Sequence, residues 1–173
     1  VQETIGGAGI ANVDFSIGAH FGGFRDEMES VLLLDMAIHT FDQIRFLTGK
    51  DPVRVYAEEF NPSWSWYRGA AAAVAIFTMA DGARATYRGS WCSEGAPSSW
   101  DGDWRIAGPK GSAVWSQKEN VPYAEIASGE GFVRPVERVE APEMSVTEGI
   151  DGSLAEFLNA LKTGATPQCE CHD

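Results

Sequence analysis

Asp35 and His39, four residues apart, with a second aspartate at Asp42, are the residues of this 173-residue chain best placed to do chemistry. An α-helix turns about 100° per residue. With Asp35 at zero, His39 falls at about 40° and Asp42 at about −20°, so the three share one stripe. Ala37, Phe41, Ile44 and Leu47 fall on the other side, where they would pack on a neighbouring layer. A carboxylate one turn before an imidazole can orient the ring and raise its pKa from about 6.5, as in a general acid/base pair. The same pair could give two metal ligands, but no third is visible, so no metal is expected. The plain alternative is a solvated polar face.

Other candidates lie in loops. Arg25 follows Phe24 just before this helix and could contact substrate hydroxyls; otherwise it is a surface cation paired with an excess carboxylate. His20 is a similar, weaker candidate. Trp64, Trp66, Tyr67, Trp91, Trp100 and Trp104 are dense. Aromatic faces stack on sugar C–H surfaces, and Trp64-Ser65-Trp66 is the segment expected near a pocket. The favoured alternative for these tryptophans is a sheet–sheet interface, where aromatics are enriched. Cys169-Glu170-Cys171-His172 has C-x-C rather than C-x₂-C spacing and no second pair, so zinc is not expected. Gly108-Pro109-Lys110-Gly111 reads as a hairpin turn, because proline removes an amide that a phosphate cradle would need.

The positioning elements follow from periodicity. Residues 10–19 alternate from Val13 to Ile17, the period of a half-buried strand. Residues 20–30 form a Gly-rich loop. Residues 31–48 have a helical period, closed by Gly49 and Pro52. Strands are expected at 53–57, 70–79 and 84–91, the last two joined by an Asp81-Gly82 hairpin. A further hairpin joins 104–108 to 112–115, with weaker strands at 122–127 and 132–139. A helix is expected over 148–161, closed by Gly164, and a further helix after Pro167 is expected to be truncated. The fold class is α+β: a mostly antiparallel open sheet with helices on one face. The other face, expected to be apolar, would be covered by a second copy in a homo-oligomer.

Composition excludes several functions. A net charge of −12 and a pI of about 4.6 argue against nucleic acid and against anionic membranes. No apolar run reaches the ~18 residues that span a bilayer, and no signal peptide is visible. Three cysteines form no disulfide framework, which suits a reducing, cytoplasmic setting. The chain begins at Val1, so a piece of a longer protein is expected.

Asp35-x-x-x-His39, followed by Asp42, Gly49 and a Val53–Ala57 strand, resembles the C-terminal domain of the Gfo/Idh/MocA oxidoreductases, the glucose–fructose oxidoreductase and inositol dehydrogenase family. The Asp81-Gly82 hairpin and the Gly108–Gly111 turn continue the likeness, which covers most of residues 10–167. The resemblance implies a substrate-binding and oligomerisation domain over residues 1–173, preceded in the full-length protein by a Rossmann domain that binds NAD or NADP. It implies that His39 exchanges the proton of a sugar or polyol hydroxyl, that Asp35 helps to bind and orient, and that Arg25 lies near the substrate. Asp42, His20 and Trp64 complete the candidate substrate-binding set. Gly6-Gly7-Ala8-Gly9 is not G-x-G-x-x-G, so the chain alone is expected to bind no dinucleotide. Two departures stand out: Glu29-Ser30-Val31 replaces the Gly triplet of many relatives, and Ala37 replaces the Gly inside the Asp-to-His motif. The alternatives are a non-catalytic carbohydrate-binding or dimerisation module and half of an NAD-dependent glycosidase.

Overall fold

The computed structural model describes residues 2–142, Thr147 and residues 149–167. The cysteine-histidine stretch at 169–172 and any helix after Pro167 lie outside the described residues. Two units are present, divided after Ala141.

The first unit is built on one eight-stranded sheet. Its strands are β1 Ile10–Ser16, β2 Pro52–Phe60, β3 Ala72–Met79, β4 Arg84–Ser90, β5 Asp103–Gly108, β6 Gly111–Ser116, β7 Glu119–Ala127 and β8 Val136–Glu140. The spatial order is β2-β3-β4-β1-β5-β6-β7-β8. The β1–β4 pair is parallel and every other neighbour is antiparallel. The α+β architecture with a mostly antiparallel open sheet therefore holds. A short helix, α1 at Gln2–Ile5, precedes the sheet and was not legible in the sequence.

Local rules explain the elements. In β1 Ala11, Val13 and Phe15 are buried while Ile10 and Asn12 are exposed, the period-2 pattern. The Asp81-Gly82 hairpin closes with Gly82 at φ +87° and with Asp81 Oδ1 accepting the Ala83 N–H at 3.0 Å. Gly108 pairs with Gly111 across the β5–β6 turn, as a simple hairpin. The last two strands start or end differently from the expected 122–127 and 132–139, because β7 extends back to Glu119 and β8 begins only at Val136.

The helical segment crosses one face of the sheet. It opens with a π turn, Leu33–Ala37, and continues as α2, Ile38–Thr48. Gly49 caps it in the left-handed region at φ +65°, donating its N–H to the Arg45 carbonyl at 2.8 Å. Met36, Ala37, Thr40, Ile44 and Thr48 are buried, and Phe41 and Leu47 are half-buried. Small residues on the sheet, Ala73, Ala75 and Ala85, let α2 approach. Phe41 then meets Phe77 and Tyr87 edge-on, at 5.1 and 5.2 Å between ring centres. A side chain at Gly89 would begin 2.0 Å from the Tyr87 hydroxyl, so only glycine fits beneath that ring.

The opposite face is open, and register fixes its composition. One row across it reads Tyr56, Ile76, Thr86, Asn12, Arg105, Val114, Tyr123 and Glu140. The next includes Glu58, Val74, Arg88 and Asp14. This face is mixed polar rather than the apolar surface expected. The tryptophans do not gather on it either. Trp91, Trp104 and Tyr67 are buried in the core, which overturns their assignment to a sheet–sheet interface.

The second unit contains α3, Gly149–Thr163. Its apolar stripe is Ile150, Leu154, Phe157, Leu158 and Leu161, the helical spacing expected. Among the described residues no helix is long and apolar enough to cross a membrane.

Candidate functional site

The chain leaves β1 at Ser16 and passes over the sheet end toward the start of the π turn. Its path is fixed by the loop that joins β2 to β3. Arg68 donates its N–H to the Asp26 carbonyl at 2.8 Å and Ala70 donates to Glu29 at 2.6 Å. Leu32 donates in return to Ala70 at 3.3 Å. A Cβ at Gly69 would lie 2.0 Å from the Glu29 carbonyl oxygen, so glycine is required for this close approach. Trp66 and Tyr67 both donate to the Ala19 carbonyl, the indole at 3.2 Å. Burial pushes the Tyr67 hydroxyl pKa up, and the Asp26 and Asp35 carboxylates push it further, so it stays a neutral donor.

Arg25 sits on the 3₁₀ turn Gly23–Glu27. Its Nε donates to Asp35 Oδ1 at 2.8 Å. Its guanidinium lies 4.8 Å from the centre of the Phe21 ring and 4.9 Å from that of Phe24. The Asp35 side chain is 16% exposed and that of Arg25 35%. The expectation that Asp35 orients His39 is therefore not what the geometry shows: Asp35 is engaged by Arg25, and no hydrogen bond joins it to His39 among the described residues. His39 is exposed on α2 and has no hydrogen-bond or ion-pair partner among the described residues. Asp42 is exposed too, 3.8 Å from Arg45 one turn on.

The remaining candidates are split. His20 stacks on Trp66 at 3.7 Å between ring centres and 13° between planes. Its Nε2 lies 2.8 Å from Glu94 Oε1. Trp64 is in neither group. Its indole donates to the Cys92 carbonyl at 3.2 Å, and its ring lines a cleft on the open sheet face. Phe21, Gly69 and Glu94 are the site residues the sequence did not single out, whereas Trp66 and Tyr67 were among its dense aromatics. The run Trp64-Ser65-Trp66-Tyr67-Arg68-Gly69 was a signal for some of them, since a loop so rich in aromatics must bury them somewhere.

The start of the helical segment is not built to cradle a pyrophosphate. The segment ahead of the helix is acidic, with Asp26, Glu27 and Glu29, and would repel a pyrophosphate. The Glu29 backbone there is already closed against Gly69. What the arrangement can do is hold an arginine–carboxylate pair and present one unencumbered imidazole nearby on the same helical segment.

Comparison with known proteins agrees with this fold. The family model of the GFO/IDH/MocA C-terminal domain matches residues 12–114, and the chain belongs to that family. An uncharacterised protein of Sinorhizobium fredii, y4oX, is 30% identical over 107 residues, which are 61% of this chain and 30% of that protein. The solved structure of UDP-N-acetylglucosamine 3-dehydrogenase GnnA from Acidithiobacillus ferrooxidans superposes with a TM-score of 0.75 at 19% identity, over 98% of this chain and 51% of that one. An oxidoreductase from Agrobacterium radiobacter, solved with NAD+, L-tartaric acid and magnesium, gives 0.74 at 19% identity, over 96% and 50%. The chain spans about half the length of these solved structures.

Proposed function

We propose that this chain is the substrate-side half of an NAD(P)-dependent oxidoreductase acting on a CH–OH group of a sugar, polyol or related molecule. NAD or NADP belongs, in this proposal, to a Rossmann domain outside these residues. His39 accepts the hydroxyl proton as the carbon is oxidised. Asp35 and Arg25 form a rigid polar wall that orients the substrate beside it. The observation that carries the proposal is the contrast within one helical segment: the carboxylate is clamped, and the imidazole one turn later is exposed and unpartnered. A general base must be free to reach its proton, and its neighbours must be fixed. The π turn that carries Asp35 fits, because such turns occur frequently at functional sites. The relatives named above include a sugar-nucleotide dehydrogenase and an NAD+-bound oxidoreductase, which supports the same class.

The test is made in the full-length protein. His39→Ala is expected to lower kcat by about 10²-fold or more, a usual general-base contribution. His39→Ala with unchanged kcat removes the residue from this role. Covering of the open sheet face by a second copy belongs to the same proposal; the polar rows on that face make it a wet, salt-sensitive interface.

A further inference from the structure

The two edges of the sheet, β8 and β2, are unlike each other. β8 is blunted. It has five residues, follows Pro135, and carries Arg138 laid 3.6 Å from the centre of the Tyr123 ring and bonded to Glu119 at 2.9 Å. β2 runs for nine residues, all of them exposed, and its one proline is the first residue, Pro52. In an antiparallel pair every second residue turns its N–H and C=O away from the neighbouring strand. On β2 those groups meet no hydrogen-bonding partner among the described residues. An open row of donors and acceptors this long is a template for another strand. The row lies in the plane of the sheet, so a partner packed flat on the open face would leave it unpaired.

The side chains of β2 determine which strand fits. Tyr56 is the middle residue of the strand, and Arg54 and Glu58 lie two residues to either side of it on the same face. In an antiparallel pairing of β2 with a copy of itself about Tyr56, Arg54 stands opposite Glu58 of the second copy, and Glu58 opposite its Arg54. The ends meet as well, Pro52 against Phe60, so the whole strand is used. A shift of two residues in either direction breaks both charge pairs. Arg54 has no ion-pair or hydrogen-bond partner among the described residues. Glu58 is held in the row by the Tyr56 hydroxyl, which donates to it. On the side of the sheet that carries α2, Val55, 56% exposed, comes opposite the small Ala57 of the second copy and gains an apolar neighbour.

We propose that β2 pairs edge to edge with β2 of a second copy, antiparallel and centred on Tyr56, so that two eight-stranded sheets join into one continuous sheet. Such a contact is isologous: each copy gives the same residues and receives the same residues. Nine residues span about 30 Å, and one strand edge buries less than the ~1,200–2,000 Å² of stable interfaces. The pair is therefore weak, with a dissociation constant on the order of 10–100 μM. The proposal needs neither the oxidoreductase reading nor the covering of the open face. An edge pair and a face pair use different two-fold axes and can coexist.

The test is hydrogen–deuterium exchange of the full chain at concentrations about tenfold below and about tenfold above that range. The backbone amides of residues 53–60 are expected to exchange more slowly at the higher concentration. Tyr56→Cys, under mild oxidation, should give a covalent dimer above the background of the parent chain, because directly opposed Cα atoms lie about 4.5–5.5 Å apart, within disulfide reach. Arg54→Cys should not, since the two copies of that position lie roughly 14 Å apart along the strands. Arg54→Glu should weaken association about fivefold or more, and Arg54→Glu with Glu58→Arg should restore it. Both positions are exposed, so these changes leave the fold intact. Exchange at 53–60 that is independent of concentration overturns the proposal. So does association that leaves those amides fast, which would mean that the copies meet on the open face. Equal crosslinking of the two cysteine variants, or a charge swap that restores nothing, overturns it too.

Discussion

Arg25→Ala tests whether the clamp on Asp35 is a structural feature of the site or an incidental surface contact. The pair is intermediate in burial, with 35% of the Arg25 side chain and 16% of the Asp35 side chain exposed. An exposed pair contributes about 0.2–1 kcal/mol, and loss of one partner of a buried pair costs about 3–5 kcal/mol. The Asp35 carboxylate is nearer the second case and the guanidinium nearer the first. Two ring contacts, with Phe21 and Phe24, add about 0.5–1 kcal/mol each at partly exposed sites. Arg25→Ala should therefore cost about 2–3 kcal/mol. At about 2–4 °C per kcal/mol for a unit of this size, the thermal midpoint should fall by about 5–10 °C. Arg25→Lys should restore less than half of this, because an ammonium has neither the planar fork nor the stacking surface. A double-mutant cycle with Asp35→Ala, read by urea unfolding, isolates the pair. The coupling energy should be about 1–2 kcal/mol. Coupling below about 0.3 kcal/mol, within the additivity of unconnected sites, would refute the clamp and leave Asp35 without a fixed orientation.

Tyr87 predicts a pH dependence. Burial raises its pKa above the usual 10.0, and its hydroxyl has no hydrogen-bond partner among the described residues. Below pH 10 both folded and unfolded chains keep the proton; above it only the unfolded chain ionises, so stability falls by up to about 1.4 kcal/mol per pH unit for this one group. Urea unfolding between about pH 9 and about pH 11 should show a shallower fall in Tyr87→Phe, with equal or higher stability at neutral pH. An identical fall in the variant would mean that the hydroxyl is hydrated in the folded state. Gly69→Ala should destabilise by about 2–4 kcal/mol, because its methyl would meet the Glu29 carbonyl at 2.0 Å; a thermal midpoint within a degree or so of the parent would show that the loops separate without cost. Self-association through the open face should appear in sedimentation velocity as a concentration-dependent species that weakens with added salt. A monomer at every concentration would remove it.

What the sequence told about the fold was local. β1, the Asp81-Gly82 hairpin and the Gly49 cap each rest on a few adjacent residues whose backbone preferences agree. The polar open face was legible in the same way, since Asn12 and Asp14 on β1 alternate with Val13 and Phe15, and Arg84, Thr86 and Arg88 on β4 alternate with Ala85 and Tyr87. The expectation of an apolar face came instead from a general rule about sheets, and the rule lost to the residues. The tryptophans failed for a related reason: enrichment of aromatics at interfaces says nothing about which side of a particular strand Trp104 occupies, whereas its pairing with Val13 places it in the core.

The site was legible to the level of a helix face and no further. A helical wheel assumes one angular step throughout, and it put Asp35, His39 and Asp42 on one outward stripe. His39 and Asp42 do face outward. Asp35 lies in the π turn, where the step is smaller, and its carboxylate is mostly buried against an arginine ten residues earlier in the chain. No periodicity encodes that contact, because it depends on how a loop is folded back by bonds from Arg68 and Ala70 to the backbone of Asp26 and Glu29. Those bonds in turn require that residue 69 have no side chain. The chemistry proposed for His39 thus depends on a glycine thirty residues away, through a chain of contacts in which each step is steric or electrostatic and none is periodic. A search for other chains able to arrange the same clamp should therefore look for an aromatic-arginine pair before the helix together with a glycine in the β2–β3 loop, in addition to the Asp-to-His spacing.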